Sequence, residues 1–192
     1  MTTIIRCGKH LLCDNRYLNI KGSSVVTHDG PPKFFKHETG VGVIAISGGI
    51  SNYAVWKALE ADFSQILLDL NEYPEKLPSF ENVFRLLDEK DDGSAILQAH
   101  DAGIPHTLIA TEKWTVTLLT DSSKKTKPSI SIYPAHEFIA LGSGGDFATM
   151  HHLMNTDQVD QQAIVKAMIA ATRGDLLSGG KIYHTELTWG NV

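Results

Sequence analysis

The sequence predicts an α+β fold, with two β-sheets packed face to face between layers of helices in one domain spanning residues 1–192. Three observations lead there. Strand-like and helix-like segments come in blocks, in the order strands, helices, strands, helices, strand. No repeat, low-complexity tract or compositional break interrupts them. The 192 residues are a usual length for one domain, and 42% hydrophobic with 20% charged residues is the balance of a globular chain with a substantial core.

The first strand is Thr2 to Cys7, where Thr-Thr-Ile-Ile is β-branched throughout. Gly8-Lys9 fits a two-residue hairpin turn, and His10 to Cys13 returns beside it. A polar stretch follows, then a short β-prone segment at Ser24–Thr27. Gly30-Pro31-Pro32 breaks the chain before a strand at Lys33–Lys36. Val41–Ser47 is a strongly apolar strand that stops at Gly48-Gly49. Ser51 opens a helix with Ala54, Val55, Ala58 and Leu59 at helical spacing. Ser79 caps a second, with Val83, Phe84, Leu86 and Leu87 on one side. A short strand at Ala95–Leu97 precedes a hairpin of Thr107–Ala110 and Trp114–Thr120 around Glu112-Lys113. Ser129–Tyr133 and Phe138–Leu141 are further strands, and Gly142–Gly145 turns into a helix ending near Met154. A last helix begins after Asp157 or Asp160 and runs to Arg173-Gly174, with Ala163, Ala167, Ala170 and Ala171 as its narrow side. Lys181–Leu187 is the closing strand.

Net charge is -5, and the only tight basic cluster is Lys124, Lys125 and Lys127, which argues against nucleic-acid binding. No basic-then-apolar leader and no run of about 18 apolar residues occurs, so a cytoplasmic location without membrane insertion is expected. Cys7 and Cys13 are too few for a disulfide framework and read as buried thiols. The nine histidines form no HExxH pattern, and neither a metal nor another cofactor is expected.

Three glycine-rich junctions stand out. GSGGDFA at Gly142–Ala148 is neither a dinucleotide fingerprint nor a phosphate loop, since Phe147 stands where a third glycine is needed and no Gly-Lys-Ser/Thr follows. DLLSGG at Asp175–Gly180 sets a carboxylate three residues before a serine. ISGG at Ile46–Gly49 is the kind of strand-to-helix junction that can aim a free N–H at a developing oxyanion. Each also has a purely structural reading as a turn or a helix cap.

Taken together these segments resemble the proteasome β-subunit and bacterial HslV peptidase family over nearly the whole chain. Thr2-Thr3-Ile4 stands where that family carries its nucleophile, and Asp14-Asn15-Arg16 resembles its Asp-x-Arg. Lys33-Phe34-Phe35-Lys36, Ser47-Gly48-Gly49, Gly142-Ser143-Gly144-Gly145 with Ala148, and Asp175-x-x-Ser178-Gly179-Gly180 follow in the family's order. The resemblance implies the four-layer αββα sandwich of N-terminal nucleophile hydrolases. It implies a threonine-type endopeptidase in which removal of Met1 frees the α-amine of Thr2 beside its own hydroxyl. Lys33 is then the cation beside that hydroxyl, with Lys36 as its alternative, and Asp14 orients the lysine. Gly48 is the oxyanion donor, and Ser143, Asp175 and Ser178 form a hydrogen-bonded network near the amine. Ile46, Pro31 and Tyr17 are implied to line the primary specificity pocket.

The resemblance also implies a homo-oligomeric ring, hexameric or heptameric and stacked in pairs, an ATPase unfoldase as partner, and protein or peptide substrates. The alternatives are a non-catalytic ring or assembly subunit and a small-molecule amidase of the same fold. Gly30-Pro31-Pro32, the Trp114–Thr120 hairpin and the lysine-rich loop after it depart from the family pattern.

Overall fold

The computed structural model describes residues 2–21, 24–37, 40, 42–47, 70, 106–119, 129–155 and 161–187. Strands β1 (Thr3–Cys7) and β2 (His10–Asp14) form a hairpin in which Cys7 faces His10. That register leaves only Gly8-Lys9 for the turn, and Gly8 takes the left-handed φ of 56° that such a turn requires. Strands β3 (Arg16–Lys21) and β4 (Ser24–Asp29) pair as a separate two-stranded ribbon. A five-stranded antiparallel sheet follows, made of β5 (Phe34–Lys36), β6 (Gly42–Ser47), β7 (His106–Thr111), β8 (Trp114–Leu119) and β9 (Ser129–Pro134) in that spatial order. The chain then returns to the first sheet with β10 (Ile139–Gly142), passes through helices α1 (Gly145–Asn155) and α2 (Gln161–Gly174), and ends with β11 (Ile182–Glu186). The first sheet has the order β10-β1-β2-β11.

Alternation along β1 and β2 builds both interfaces of this sheet. Ile4, Leu11 and Cys13 point to one face, where they meet Val43, Ala45, Leu108 and Ala110 of the five-stranded sheet. Ile5, Cys7 and Leu12 point to the other, against Ala148 of α1 and Ile164, Ala167, Met168 and Ala171 of α2. Complete burial of each large aliphatic side chain contributes about 1.5–3 kcal/mol, and β1 is buried along its whole length. The layers described are therefore helix, sheet, sheet, within the αββα sandwich. Apart from Leu70, which is helical and buried, the helices expected at 51–87 and the strand at 95–97 lie outside the described residues.

Two readings of the sequence are revised. The polar stretch after Asp14 is β3, whose backbone pairs with β4 from Arg16–Asp29 to Lys21–Ser24. The buried face of α2 is Ile164, Ala167, Met168 and Ala171, spaced i, i+3, i+4, i+7, whereas Ala163 and Ala170 lie on its flanks. Cys7 and Cys13 are buried free thiols, as expected. Burial pushes Cys13 up to about 12, so it stays protonated and unreactive.

A buried cation joins two turns of the sandwich. Arg6, fully buried, donates to the carbonyls of Thr111 and Trp114 and, through Nε at 3.2 Å, to that of Gly8. It ties the β7–β8 turn to the β1–β2 turn. Burial lowers its pKa to about 9, so it remains a cation at neutral pH.

Candidate active site

The hairpin register brings the start of β1 to the end of β2. One residue beyond the Ile4–Cys13 pair, the Thr3 amide donates to Asp14 Oδ2 at 3.2 Å. The Gly179 amide donates to the same oxygen at 2.9 Å. Lys33 arrives from the second sheet, where the Gly30-Pro31-Pro32 turn delivers it just ahead of β5. Its ammonium donates to Thr2 Oγ1 and to the Arg16 carbonyl, and stands 3.7 Å from Asp14 Oδ1. Thr2, Asp14 and Lys33 are all buried.

Burial lowers the Lys33 pKa to about 8, with Asp14 acting in the opposite direction. Burial also raises Asp14, against the pull of Lys33 and of the two amides. Desolvation thus weakens the lysine's hold on its proton, while the Asp14 carboxylate keeps the site near neutrality. A hydroxyl held by such an ammonium is easier to deprotonate, because the developing alkoxide meets a cation in a water-poor site.

A second network lies against the same strand. Past the end of α2, the Asp175 carboxylate accepts Leu177 N–H at 3.0 Å, closing an Asx turn. Its other oxygen accepts the hydroxyls of Ser143 and, at 2.6 Å, Ser178. Burial raises the Asp175 pKa, but the Ser143, Ser178 and Leu177 donors outweigh it and leave the carboxyl below its ordinary value. Ser178 Oγ is 2.8 Å from Thr3 Oγ1. The three residues expected beside the Thr2 nitrogen are thus brought together, and their contact with β1 is the Thr3 hydroxyl. Ser143 bonds Asp175 through its hydroxyl, which sets aside its reading as a helix cap.

Glycines make this approach possible. Gly142 has φ 90°, and a Cβ there would fall 1.6 Å from the Thr2 carbonyl oxygen. At Gly144 it would fall 2.2 Å from Thr3 Oγ1. Several residues of this region escaped the sequence reading. Arg16 donates to the Ser178 carbonyl at 3.0 Å while its own carbonyl receives Lys33. Asn15 bonds the Gly30 carbonyl at 2.7 Å and the Lys181 amide at 2.7 Å, stapling the turn that carries Lys33 to the entry of β11. Both stand in the Asp14-Asn15-Arg16 triplet, and that was the available signal.

Lys33 rather than Lys36 enters the site, since Lys36 is exposed on β5. Ile46 is buried, and its amide donates to the Lys33 carbonyl at 2.9 Å. Pro31 is half-buried two residues before Lys33. Tyr17 pairs with His28 through its backbone, and its side chain lies outside the described residues, as does Gly48.

The αββα sandwich is the fold of the N-terminal nucleophile hydrolases. Among solved structures, the chain is similar to eukaryotic HslV from Trypanosoma brucei, with 18% identity and a TM-score of 0.60 over 97% of this chain and 99% of that one. It is similar also to Thiobacillus denitrificans BPH, with 17% identity and a TM-score of 0.56 over 97% and 98% of the two chains. The same protein in complex with epoxomicin gives 16% identity and a TM-score of 0.56. These likenesses establish the fold. No protein-family model matches the sequence, and no curated protein does.

Proposed function

We propose that the chain is a threonine-type endopeptidase whose nucleophile is Thr2 after removal of Met1. The observation that carries this reading is the Lys33 ammonium on Thr2 Oγ1, backed by Asp14, with all three side chains buried. A freed α-amine, with a reference pKa of about 7.7–8.0, takes the hydroxyl proton directly or through a water. Thr2 Oγ1 then attacks the scissile carbonyl, Lys33 stabilises the alkoxide as it forms, and the Gly48 amide receives the oxyanion. The amine returns the proton to the leaving nitrogen, and water hydrolyses the acyl-enzyme. Ser143, Asp175 and Ser178 hold the strand carrying the nucleophile through Thr3. Ile46, Pro31 and Tyr17 form an apolar primary pocket that favours small or medium apolar residues before the cleaved bond.

The same reading makes the chain a subunit of a stacked ring, hexameric or heptameric, that is fed unfolded protein by an ATPase in the cytoplasm. Phe147, Met150, Leu153 and Met154 are exposed on α1, an apolar surface that suits assembly. Among the described residues, no helix is long and apolar enough to cross a membrane.

Intact-mass measurement of the protein from its native host, paired with a peptide-hydrolysis assay, tests the proposal. Loss of one methionine residue and abolition of hydrolysis by Thr2→Ala are expected. A mature mass that retains methionine, or full activity of Thr2→Ala, overturns it.

A further inference from the structure

A pair of histidines lies at the other end of the first sheet, away from Thr2. His10 opens β2 opposite Glu186 of β11, and His184 stands two residues back along β11 opposite Leu12. Paired and alternate positions share a face, so both rings project on the helix-covered side, beside Gln161 at the start of α2. His10 Nδ1 is 3.1 Å from His184 Nε2, with ring centroids 5.2 Å apart.

We propose that His10 and His184 form a binding site for a divalent first-row transition metal ion of the Zn²⁺, Ni²⁺ or Cu²⁺ type. Two imidazole nitrogens about 2.0–2.1 Å from one ion and separated as these are subtend roughly 100° at the metal, between the square-planar and tetrahedral angles. Little movement is needed, because both residues sit on hydrogen-bonded strands.

Neutral imidazole is the form that binds metal. In the free pair one ring donates a hydrogen bond to the other; the ion takes the place of that proton, and each ring then carries its proton on the far nitrogen. For His184 that nitrogen is Nδ1, which lies 3.4 Å from the amide nitrogen of Gln161. Rotation of that amide about its last bond brings its oxygen to the same place, where it accepts the Nδ1 proton and holds the tautomer that presents Nε2. Glu186 adds negative charge next to both rings, although its carboxylate is engaged by Lys9. Among the described residues, no group of three or more His, Cys, Asp or Glu side chains converges on a metal position. The site is therefore a two-histidine chelate completed by solvent, with the affinity order Cu²⁺ above Ni²⁺.

The test is titration of untagged protein with Ni²⁺ and Cu²⁺ by calorimetry, together with electron paramagnetic resonance of the Cu²⁺ form. One equivalent per chain that is weakened at least tenfold by His10→Ala and by His184→Ala, with coupling to two imidazole nitrogens, is expected. Gln161→Ala is expected to weaken it less. Both rings lie at the sheet surface, and circular dichroism confirms that the variants fold. Should either histidine variant bind within twofold of the parent, or the spectrum show no histidine pair, the proposal fails. Binding elsewhere, including His151-His152, leaves both histidine variants at the affinity of the parent and so gives the first of these results.

Discussion

Lys33 Nζ stands 3.7 Å from Asp14 Oδ1, and the two side chains, from different sheets, are both removed from water. Neither charge is tolerable there alone. Breaking a buried pair typically costs more than replacing both partners, because the survivor is left uncompensated. Asp14→Asn is expected to destabilise the protein by about 3 kcal/mol. Combined with Lys33→Met, the loss is expected to be at least about 1 kcal/mol smaller than the sum of the two single losses. Urea unfolding of the four proteins of this cycle measures the coupling, and strict additivity would contradict the pairing.

The same pair sets a pH profile. Lys33 loses its proton as pH rises through about 8, and with it the cation beside Thr2 Oγ1. On the acid side, the freed Thr2 amine takes up a proton below about 8 and can no longer act as the base, and Asp14 is protonated further down as pH falls through its raised pKa. Hydrolysis is expected to follow a bell, with kcat/KM falling above about pH 8. A flat profile from pH 8 to 10 would rule out a protonated Lys33 in the reaction. Stability moves the other way on the alkaline side. Between about 8 and the ordinary 10.5, the unfolded chain holds a lysine proton that the folded chain has lost, so stability rises with pH. The difference in thermal midpoint between parent and Lys33→Met is expected to change with pH across that window.

Gly142 and Gly8 both have positive φ, yet their substitution should differ in cost. A Cβ at Gly8 meets nothing within 4 Å, so Gly8→Ala carries only the left-handed backbone penalty, about 1 kcal/mol. At Gly142 the Cβ collides with the Thr2 carbonyl. Gly142→Ala is expected to cost at least about 2 kcal/mol and to lower peptide hydrolysis by displacing Thr2. Equal effects at the two positions, in unfolding and in peptide assays, would count against the close approach.

Arg6 bonds three carbonyls from two turns. An ammonium cannot reproduce the planar fork that reaches them together. Arg6→Lys is expected to cost about 2 kcal/mol, and Arg6→Ala about 4 kcal/mol through unpaired carbonyls and a cavity. Denaturant unfolding reads both values.

Most of the described strands were legible because β-branched and apolar runs are bounded by Gly, Pro or Asp. Strand β3 was not, since Arg-Tyr-Leu-Asn-Ile-Lys mixes polar and apolar residues and gains its extended form from pairing with β4. The site motifs were read as short patterns with fixed order, and Lys33 was set ahead of Lys36 because it heads Lys33-Phe34-Phe35-Lys36, although the short Gly30-Pro31-Pro32 turn before it departs from the family pattern. What local sequence could not carry was proximity. Nothing near Gly142 says that its α-carbon faces Thr2, and nothing near Arg6 says that a turn more than a hundred residues away needs its protons. The Ser178 hydroxyl likewise finds Thr3 only once α2 and β1 are packed together.

Strand β1 is paired on both sides, with β10 from Thr3–Gly142 to Arg6–Ile139 and with β2 from Ile4–Cys13 to Cys7–His10. The amides of Ile4, Ile5 and Arg6 therefore lie in the interior of a sheet that is itself covered on both faces. Their deuterium uptake should require opening of the whole core, which places them among the last amides to exchange.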